Sequence, residues 1–421
     1  MSHAIGVDVG GTFTDVVVIA ADGGVVTAKA ATTPDDQSRG VMAGLALAAA
    51  RCGLSLGRLL ADTSRLVHGT TVATNALLEG KGARVGLLTT AGHRDVVEMR
   101  EGLKPDRYNL RLPPPAPLVP RDLRLPVTER MRADGTVAVP LDPASLDAAL
   151  DRLAAAGVEA VAVCFLHAWA NPAHEDAAAA AARARLPGAY VTASAEVLPE
   201  IKEFERFSTA VANALVGGLV RDYLARLERR LRTAGLAVPP LIMQSHGGVA
   251  TVAETARLAA GTALSGPAGG VAAAAALARA GAGAELIAFD MGGTSTDIAL
   301  IREGAATLSD GRVIGAARIA LPSLDIVTLG AGVGSIAAVG ADGLLRVGPQ
   351  SAGAVPGPAC YGTGGAAATV TDADLVLGLL DPAQFLGGAQ RLDPAAAMRA
   401  LAALGARLGL DAVAAAARRR R

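Results

Sequence analysis

The chain opens on a strand pattern. The apolar run Ala4-Ile5-Gly6-Val7 leads into two glycines and then into the β-branched stretch Val16 to Ile19. Asp22-Gly23-Gly24 is a turn signal, and Val25 to Lys29 returns as a strand. The Gly-Gly-Thr segment therefore joins two strands of a hairpin and does not open a helix. Asp36 to Cys52 has helical spacing with an Ala/Leu/Met face, and Leu66-Val67 and Val85 to Thr89 read as buried strands with a helix, Val72 to Leu78, between them. Pro126 to Leu141 reads as a hairpin around Asp134-Gly135, Asp142-Pro143 as the start of a helix to Ala156, Val158 to Phe165 as a buried strand, and Glu175 to Leu186 as an Ala-rich helix. A boundary near Leu186 to Ser194 would divide the chain into residues 1–190 and 191–421. The second part opens with a long amphipathic helix, Ser208 to Ala234, and a strand, Leu241 to Gln244.

Composition narrows the class. At 421 residues, two or three domains are expected. Hydrophobic residues make up 51%, which excludes a disordered polar chain. Lys+Arg and Asp+Glu balance at 39 each, so no overall positive field exists to attract a polyanion, and nucleic acid is not an expected partner. The three cysteines are far apart and odd in number, which argues for free thiols in a reducing compartment rather than a disulfide framework. The longest apolar stretch, Val158 to Trp169, is too short to span a bilayer. The expectation is a soluble, cytoplasmic protein with no membrane partner.

The chemistry lies in an internal echo. Residues 8–19 read DVGGTFTDVVVI and residues 290–301 read DMGGTSTDIALI, identical at seven of twelve positions and separated by 282 residues. That separation is too large for a solenoid and suits two lobes carrying one device. Gly10 and Gly11 allow backbone N–H groups to approach phosphate oxygens, and Thr12 and Thr14 can add hydroxyl donors. Asp8 and Asp15 would repel phosphate, so at least one should act through Mg²⁺ or its waters. The second copy offers Asp290, Gly292, Gly293, Thr294, Thr296 and Asp297 in the same order. One such turn is also explained as a tight hairpin; two with Thr and Asp at fixed offsets are not. The glycines precede a strand rather than a helix, which argues against a P-loop and a Rossmann turn, and no GK[ST] occurs. Two hairpins gripping one nucleotide is the design of the actin-like ATPases, which this chain resembles.

Further motifs narrow the likeness: HGTTVATNALL (68–78), HRDVVEMR (93–100), PDRYNLRLPPPAPLVPR (105–121), EFERFSTAVAN (203–213), QSHGG (244–248), SGPAGG (265–270), GAGVGSIA (330–337), VGPQSAGAVPGPACYG (347–362) and TDADLVLG (371–378). Together they resemble the hydantoinase A / 5-oxoprolinase family, which includes the β-type subunits of acetone and acetophenone carboxylases. The likeness runs from residue 5 to about residue 390. His246 and Val333 stand where the family has Asn and Gly. If that glycine has positive φ, Val333 would cost about 1–2 kcal/mol. The family also continues past this point with another Gly-rich segment, so the second lobe is expected to be incomplete.

The resemblance implies an α/β fold of the two-lobed actin-like (ribonuclease H-like) type, with ATP and Mg²⁺ as cofactors. It implies ATP-dependent hydrolysis of a small cyclic amide of the hydantoin or 5-oxoproline type, in a hetero-oligomer with a hydantoinase B-type subunit. The alternative is the ATP-hydrolysing subunit of a ketone carboxylase; a sugar kinase or non-catalytic actin-like module fits less well. Asp8 and Asp290 are the expected Mg²⁺ carboxylates and, with His68, the expected catalytic residues. Thr70, Thr71 and Asn75 either cap the following helix or lie near the transferred phosphate; Arg94 and Glu98 either form a helix-surface pair or face substrate.

Overall fold

In the computed structural model, which describes residues 2–418 apart from 12, 34, 103–105, 107, 114–115, 294, 354 and 389, the opening pattern becomes a three-stranded meander. It consists of β1 (His3–Val9), β2 (Phe13–Ile19) and β3 (Val25–Ala31). After helix α1 (Gln37–Arg51), which Asp36 caps by accepting the Ser38 N–H, the chain enters β4 (Thr63–Thr70). A second set follows: β5 (Val85–Thr90), β6 (Arg124–Val127), β7 (Ala160–Cys164) and β8 (Tyr190–Ala193). The long helix α2 (Glu203–Thr233) then precedes β9 (Leu241–Met243) and β10 (Val249–Thr251). The expected helix began at Ser208; the acidic residues before it are its first turn, where the helix dipole favours them.

These strands make two sheets. The first has the order β10-β9-β4-β1-β2-β3, with β1 antiparallel to β2 and parallel to β4. The second is wholly parallel, in the order β8-β7-β5-β6. Its strands are buried on both faces, as parallel sheets require, and their composition is correspondingly continuous: Ala160-Val161-Ala162-Val163-Cys164 is buried throughout. Alternation governs the meander instead. Ile5, Val7 and Val9 of β1 and Val16 and Val18 of β2 face the core, which also takes up Val41, Leu45 and Ala48 of α1.

By packing, the chain divides into two compact units: residues 1–269 with 308–324, and residues 270–307 with 325–421. Within the first, the 308–324 segment is pinned to α2, because Ser208 Oγ accepts the Arg318 N–H at 3.0 Å and Thr209 Oγ1 accepts that of Ala320 at 2.9 Å.

The second unit repeats the meander with β11 (Leu286–Met291), β12 (Thr296–Arg302) and β13 (Ile326–Leu329), β12 pairing antiparallel with both neighbours. Here the equivalent sheet face is bare. Ile5, Val7 and Val9 are 2%, 4% and 0% exposed, whereas Ile287, Phe289 and Met291 are 69%, 61% and 41% exposed. Two smaller cores complete the unit around the helices Val370–Val376, Pro394–Ala406 and Ala412–Arg418. Cys164 and Cys360 are buried, Cys52 is half-buried, and all three are free. Among the described residues no helix is long and apolar enough to cross a membrane.

Candidate nucleotide-phosphate site

The two hairpins agree in register as well as in sequence. Asp8 stands opposite Asp15, and Asp290 opposite Asp297. Each turn closes in the same way: the Gly10 N–H donates to the Phe13 carbonyl at 2.9 Å, and the Gly292 N–H to the Ser295 carbonyl at 2.8 Å. The equivalent third-strand residue engages the second aspartate in both copies. Lys29 lies 2.6 Å from Asp15, and the Thr328 hydroxyl donates to Asp297 at 2.6 Å. Asp8, Asp15 and Lys29 share one register row and hence one face of the meander, with Asp15 already neutralised from the β3 side.

Asp8 sits where two backbones come close. A Cβ on Gly69 would lie 2.9 Å from Asp8 Oδ1, and one on Gly266 would lie 3.0 Å from it. Gly69 ends β4 beside Asp8, and Gly266 is in the first turn of helix Ser265–Leu277, whose N-terminus carries partial positive charge. The helix start is fastened to β4. Ser265 Oγ donates to the Thr70 carbonyl at 3.0 Å and accepts the Thr70 N–H at 3.3 Å, while the Leu264 N–H donates to Thr74 Oγ1 at 2.8 Å. SGPAGG and HGTTVATNALL, read separately in the sequence, are thus one assembly around a carboxylate. Gly69, Gly266 and Ser265 were visible as members of those motifs, but nothing in the sequence placed them beside Asp8.

Several expected site residues take supporting places. Thr14 is fully buried on the core face, opposite to Asp15; its hydroxyl meets that of Thr32 at 3.3 Å, and Thr32 donates to the Gly10 carbonyl at 2.9 Å. Thr296 is 2% exposed and donates to the Ala331 carbonyl at 2.5 Å. These hydroxyls brace the turns rather than present donors to a phosphate. Thr12 and Thr294 lie outside the described residues.

His68, expected as an acid or base, lies in the core rather than on the surface of the hairpin. It alternates with Gly69 along β4 and is fully buried, with Nε2 2.8 Å from the Tyr223 hydroxyl. Burial pushes its pKa down to about 4. Thr70 is buried beside it, and the Thr70 hydroxyl accepts the Val72 N–H at 3.3 Å. Thr71 and Asn75 are half-buried, joined by a 3.4 Å bond from Asn75 Nδ2 to Thr71 Oγ1.

Glu98 is taken up by Arg124, whose guanidinium is fully buried and lies 2.6 Å from it; Arg124 also donates to the Val119 carbonyl at 2.9 Å. Asp95 completes this network through Arg121 at 3.0 Å. Arg94 is half-buried beside Asp95. Glu98 is therefore a structural counter-ion to Arg124, not a helix-surface partner of Arg94.

In the second unit the GAGVG segment grips the hairpin turn. The Val333 N–H donates to the Gly292 carbonyl at 2.9 Å, the Gly334 N–H to that of Gly293 at 2.8 Å, and the Ser351 hydroxyl to Gly293 at 3.2 Å. Val333 is not among the positive-φ residues, so the strain expected from replacing a family glycine does not arise. His246 accepts the Gly248 N–H at 3.2 Å, one bond that an Asn could also make.

The chain belongs to the hydantoinase/oxoprolinase family: the signature of the family's N-terminal region spans residues 4–186, and the hydantoinase/oxoprolinase signature spans residues 206–420. It is 41% identical to the caprolactamase subunit alpha of Pseudomonas jessenii, over 95% of this chain and 58% of the relative. Of solved structures, it is similar to nucleotide-free acetone carboxylase (TM-score 0.87, 31% identity, 99% of this chain and 60% of the other). It is also similar to the ATP-dependent caprolactamase of Pseudomonas jessenii (TM-score 0.83, 41% identity, 98% and 60%). The chain thus spans about three-fifths of the length of the relatives it matches.

Proposed function

We propose that this chain supplies the ATP-handling part of an ATP-dependent enzyme that opens a cyclic amide. The carrying observation is the duplicated hairpin, in which register, turn closure and third-strand partner of the second aspartate all repeat. The sheet order β3-β2-β1-β4-β9 supports an actin-like lobe. The lobes we propose are residues 1–190 and 191–421, a division that follows the gap between the two family signatures and differs from the packing units, which keep residues up to 269 together.

ATP is the phosphoryl donor in this reading. The Gly10 and Gly292 N–H groups close the turns, so in this reading Gly11 and Gly293 supply the backbone donors to phosphate oxygens, with no Cβ in the way. The amide oxygen of the ring attacks the γ-phosphorus and ADP leaves. Water then adds to the activated carbon, the ring C–N bond breaks to leave an acyl phosphate and a free amine, and a second water hydrolyses the acyl phosphate, releasing phosphate and the amino acid. This chain contributes positioning and charge balance.

Mg²⁺ would supply charge neutralisation on the phosphates. Mg²⁺ is usually held by one or two carboxylates, with phosphate oxygens and water completing its shell; among the described residues there is no group of three or more His, Cys, Asp or Glu that could hold a metal. Asp8, in its two-glycine cradle, and Asp290, at the same register position of the second hairpin, are the carboxylates proposed for it. The likeness to caprolactamase subunit alpha supports a hetero-oligomer, with a hydantoinase B-type subunit as the proposed partner.

A second reading, ATP-coupled carboxylation of a ketone, is favoured by the higher TM-score to acetone carboxylase. Steady-state ATP hydrolysis by the protein with its partner subunit separates the two. Stimulation by a lactam without bicarbonate supports the amidase; stimulation only by ketone plus bicarbonate supports the carboxylase. Asp8→Asn and Asp290→Asn should each lower ATP turnover by at least about 100-fold while the fold persists. Wild-type turnover in both would refute the hairpin assignment.

A further inference from the structure

Two of the sequence motifs play no part in the phosphate site. HRDVVEMR follows β5, and EFERFSTAVAN opens α2, 103 residues later. The fold brings them together. The parallel sheet runs from β5 outward to β6 on one side and to β7 and β8 on the other, so its topology reverses between β5 and β7. Beyond the carboxyl ends of those two strands lies a cleft of about 450 Å³, within the size range of small-molecule sites. His93 enters it just after β5, Leu166 just after β7, Arg100 from the end of the first motif, and Glu203, Phe204 and Glu205 from the second.

The cleft wall is held in an unusual conformation. Arg100 and Lys202, both lining it, have φ of +54° and +72°, a region that long-side-chain L-residues avoid and that surrounding structure must enforce. The Arg100 guanidinium lies 6.0 Å from the Phe204 ring, and its buried Nε has no hydrogen-bond partner among the described residues. A buried N–H in that state favours an acceptor supplied from outside. Opposite charges are also present. Lys202 is 4.0 Å from Glu101 and 3.7 Å from Glu205, and Glu203 has no ion-pair partner among the described residues. The wall between these charges is apolar: Val96, Met99, Leu166 and Phe204.

We infer that this cleft binds a small zwitterion: a carboxylate at Arg100, an ammonium at Glu203, and an apolar spacer along Met99 and Phe204. An amino acid released by opening a cyclic amide has this chemistry, so the assignment deepens the amidase reading and rests on it for the identity of the ligand. The arrangement also explains why Glu98 and Asp95 are committed to Arg121 and Arg124: they lock the HRDVVEMR segment and leave Arg100 as its cation at the cleft.

Isothermal titration of the full chain with 6-aminohexanoate tests this, with hexanoate and hexylamine as single-charge controls. The zwitterion should bind at least tenfold more tightly than either control. Arg100→Gln should lose at least tenfold for 6-aminohexanoate and for hexanoate but little for hexylamine; Glu203→Gln should do the reverse. Trp169 fluorescence checks that both variants fold. Equal binding of all three compounds, or wild-type affinity in Arg100→Gln, would overturn the assignment. The amidase reading is judged separately by lactam-stimulated ATP hydrolysis, so either can fail while the other stands.

Discussion

Replacing Glu175 by Gln should expose a pH dependence that the wild-type protein conceals. Glu175 is fully buried and accepts the Phe165 N–H at 2.7 Å, the Ala195 N–H at 2.8 Å and the Ser194 hydroxyl at 2.6 Å, with Arg206 nearby. Burial outweighs these partners and raises its pKa from 4.5 to about 7. Between those values the folded protein keeps a proton that the unfolded chain has shed, so stability falls as pH rises. His68 acts in the opposite sense. Its pKa falls from 6.5 to about 4, so in that window the unfolded chain takes a proton that the fold refuses, and stability rises with pH. Each effect is worth about 3 kcal/mol, at about 1.4 kcal/mol for each pKa unit.

The two windows overlap between pH 4.5 and 6.5, where the effects cancel. The aspartates held low by their partners, such as Asp36 and Asp95, act below their ordinary 3.8 and leave this window clear. Urea unfolding followed by the fluorescence of Trp169, the single tryptophan, reports on the unit that contains both groups. With m of roughly 2 kcal/mol/M, the Glu175→Gln midpoint should climb by about 1.5 M from pH 4 to 6.5, while the wild type changes little between 4.5 and 6.5. His68→Gln should give the mirror image, a midpoint falling from pH 4.5 to 7. A Glu175→Gln midpoint that stays flat would refute the claim that burial governs His68.

Gly69→Ala would bring a Cβ to 2.9 Å from Asp8 Oδ1; we expect ATP turnover to drop at least about tenfold with an almost unchanged melting temperature, and unchanged turnover would refute a role for the cradle. Gly217→Ala puts a Cβ 2.2 Å from the Tyr190 ring. That ring cannot swing away freely, because its hydroxyl lies 2.8 Å from both the Ala256 and Arg257 carbonyl oxygens and shares its one proton between them. The variant should lose about 1–3 kcal/mol or more in the same urea assay.

The hairpins were legible because their signals are local: β-branched strands, a Gly-Gly turn, and aspartates at equal distance from it, which set the register. The faces are written in the sequence as parity. Thr14 keeps step with Val16 and Val18, and His68 with Leu66, so both belong to the core side. The Arg124 network could not be read, since its partners lie 26 and 29 residues earlier and burial of an arginine has no local mark. Nor could the return of residues 308–324 to the first unit, which depends on hydroxyls of α2 more than 100 residues away in sequence.

The bare face of β11 bears on how this protein behaves in a tube. Ile287, Phe289 and Met291 each stand to gain about 1.5–3 kcal/mol from full burial, and Leu300 and Val327 on the neighbouring strands are exposed as well. Such a surface is wetted at a cost that grows with salting-out ions and shrinks with urea. A preparation of these 421 residues should therefore light up a hydrophobic dye while still fully folded and leave solution early in ammonium sulfate. Polar substitutions at Ile287 and Phe289 should quench the dye and raise solubility without touching the Gly-Gly turn, which begins three residues after Phe289.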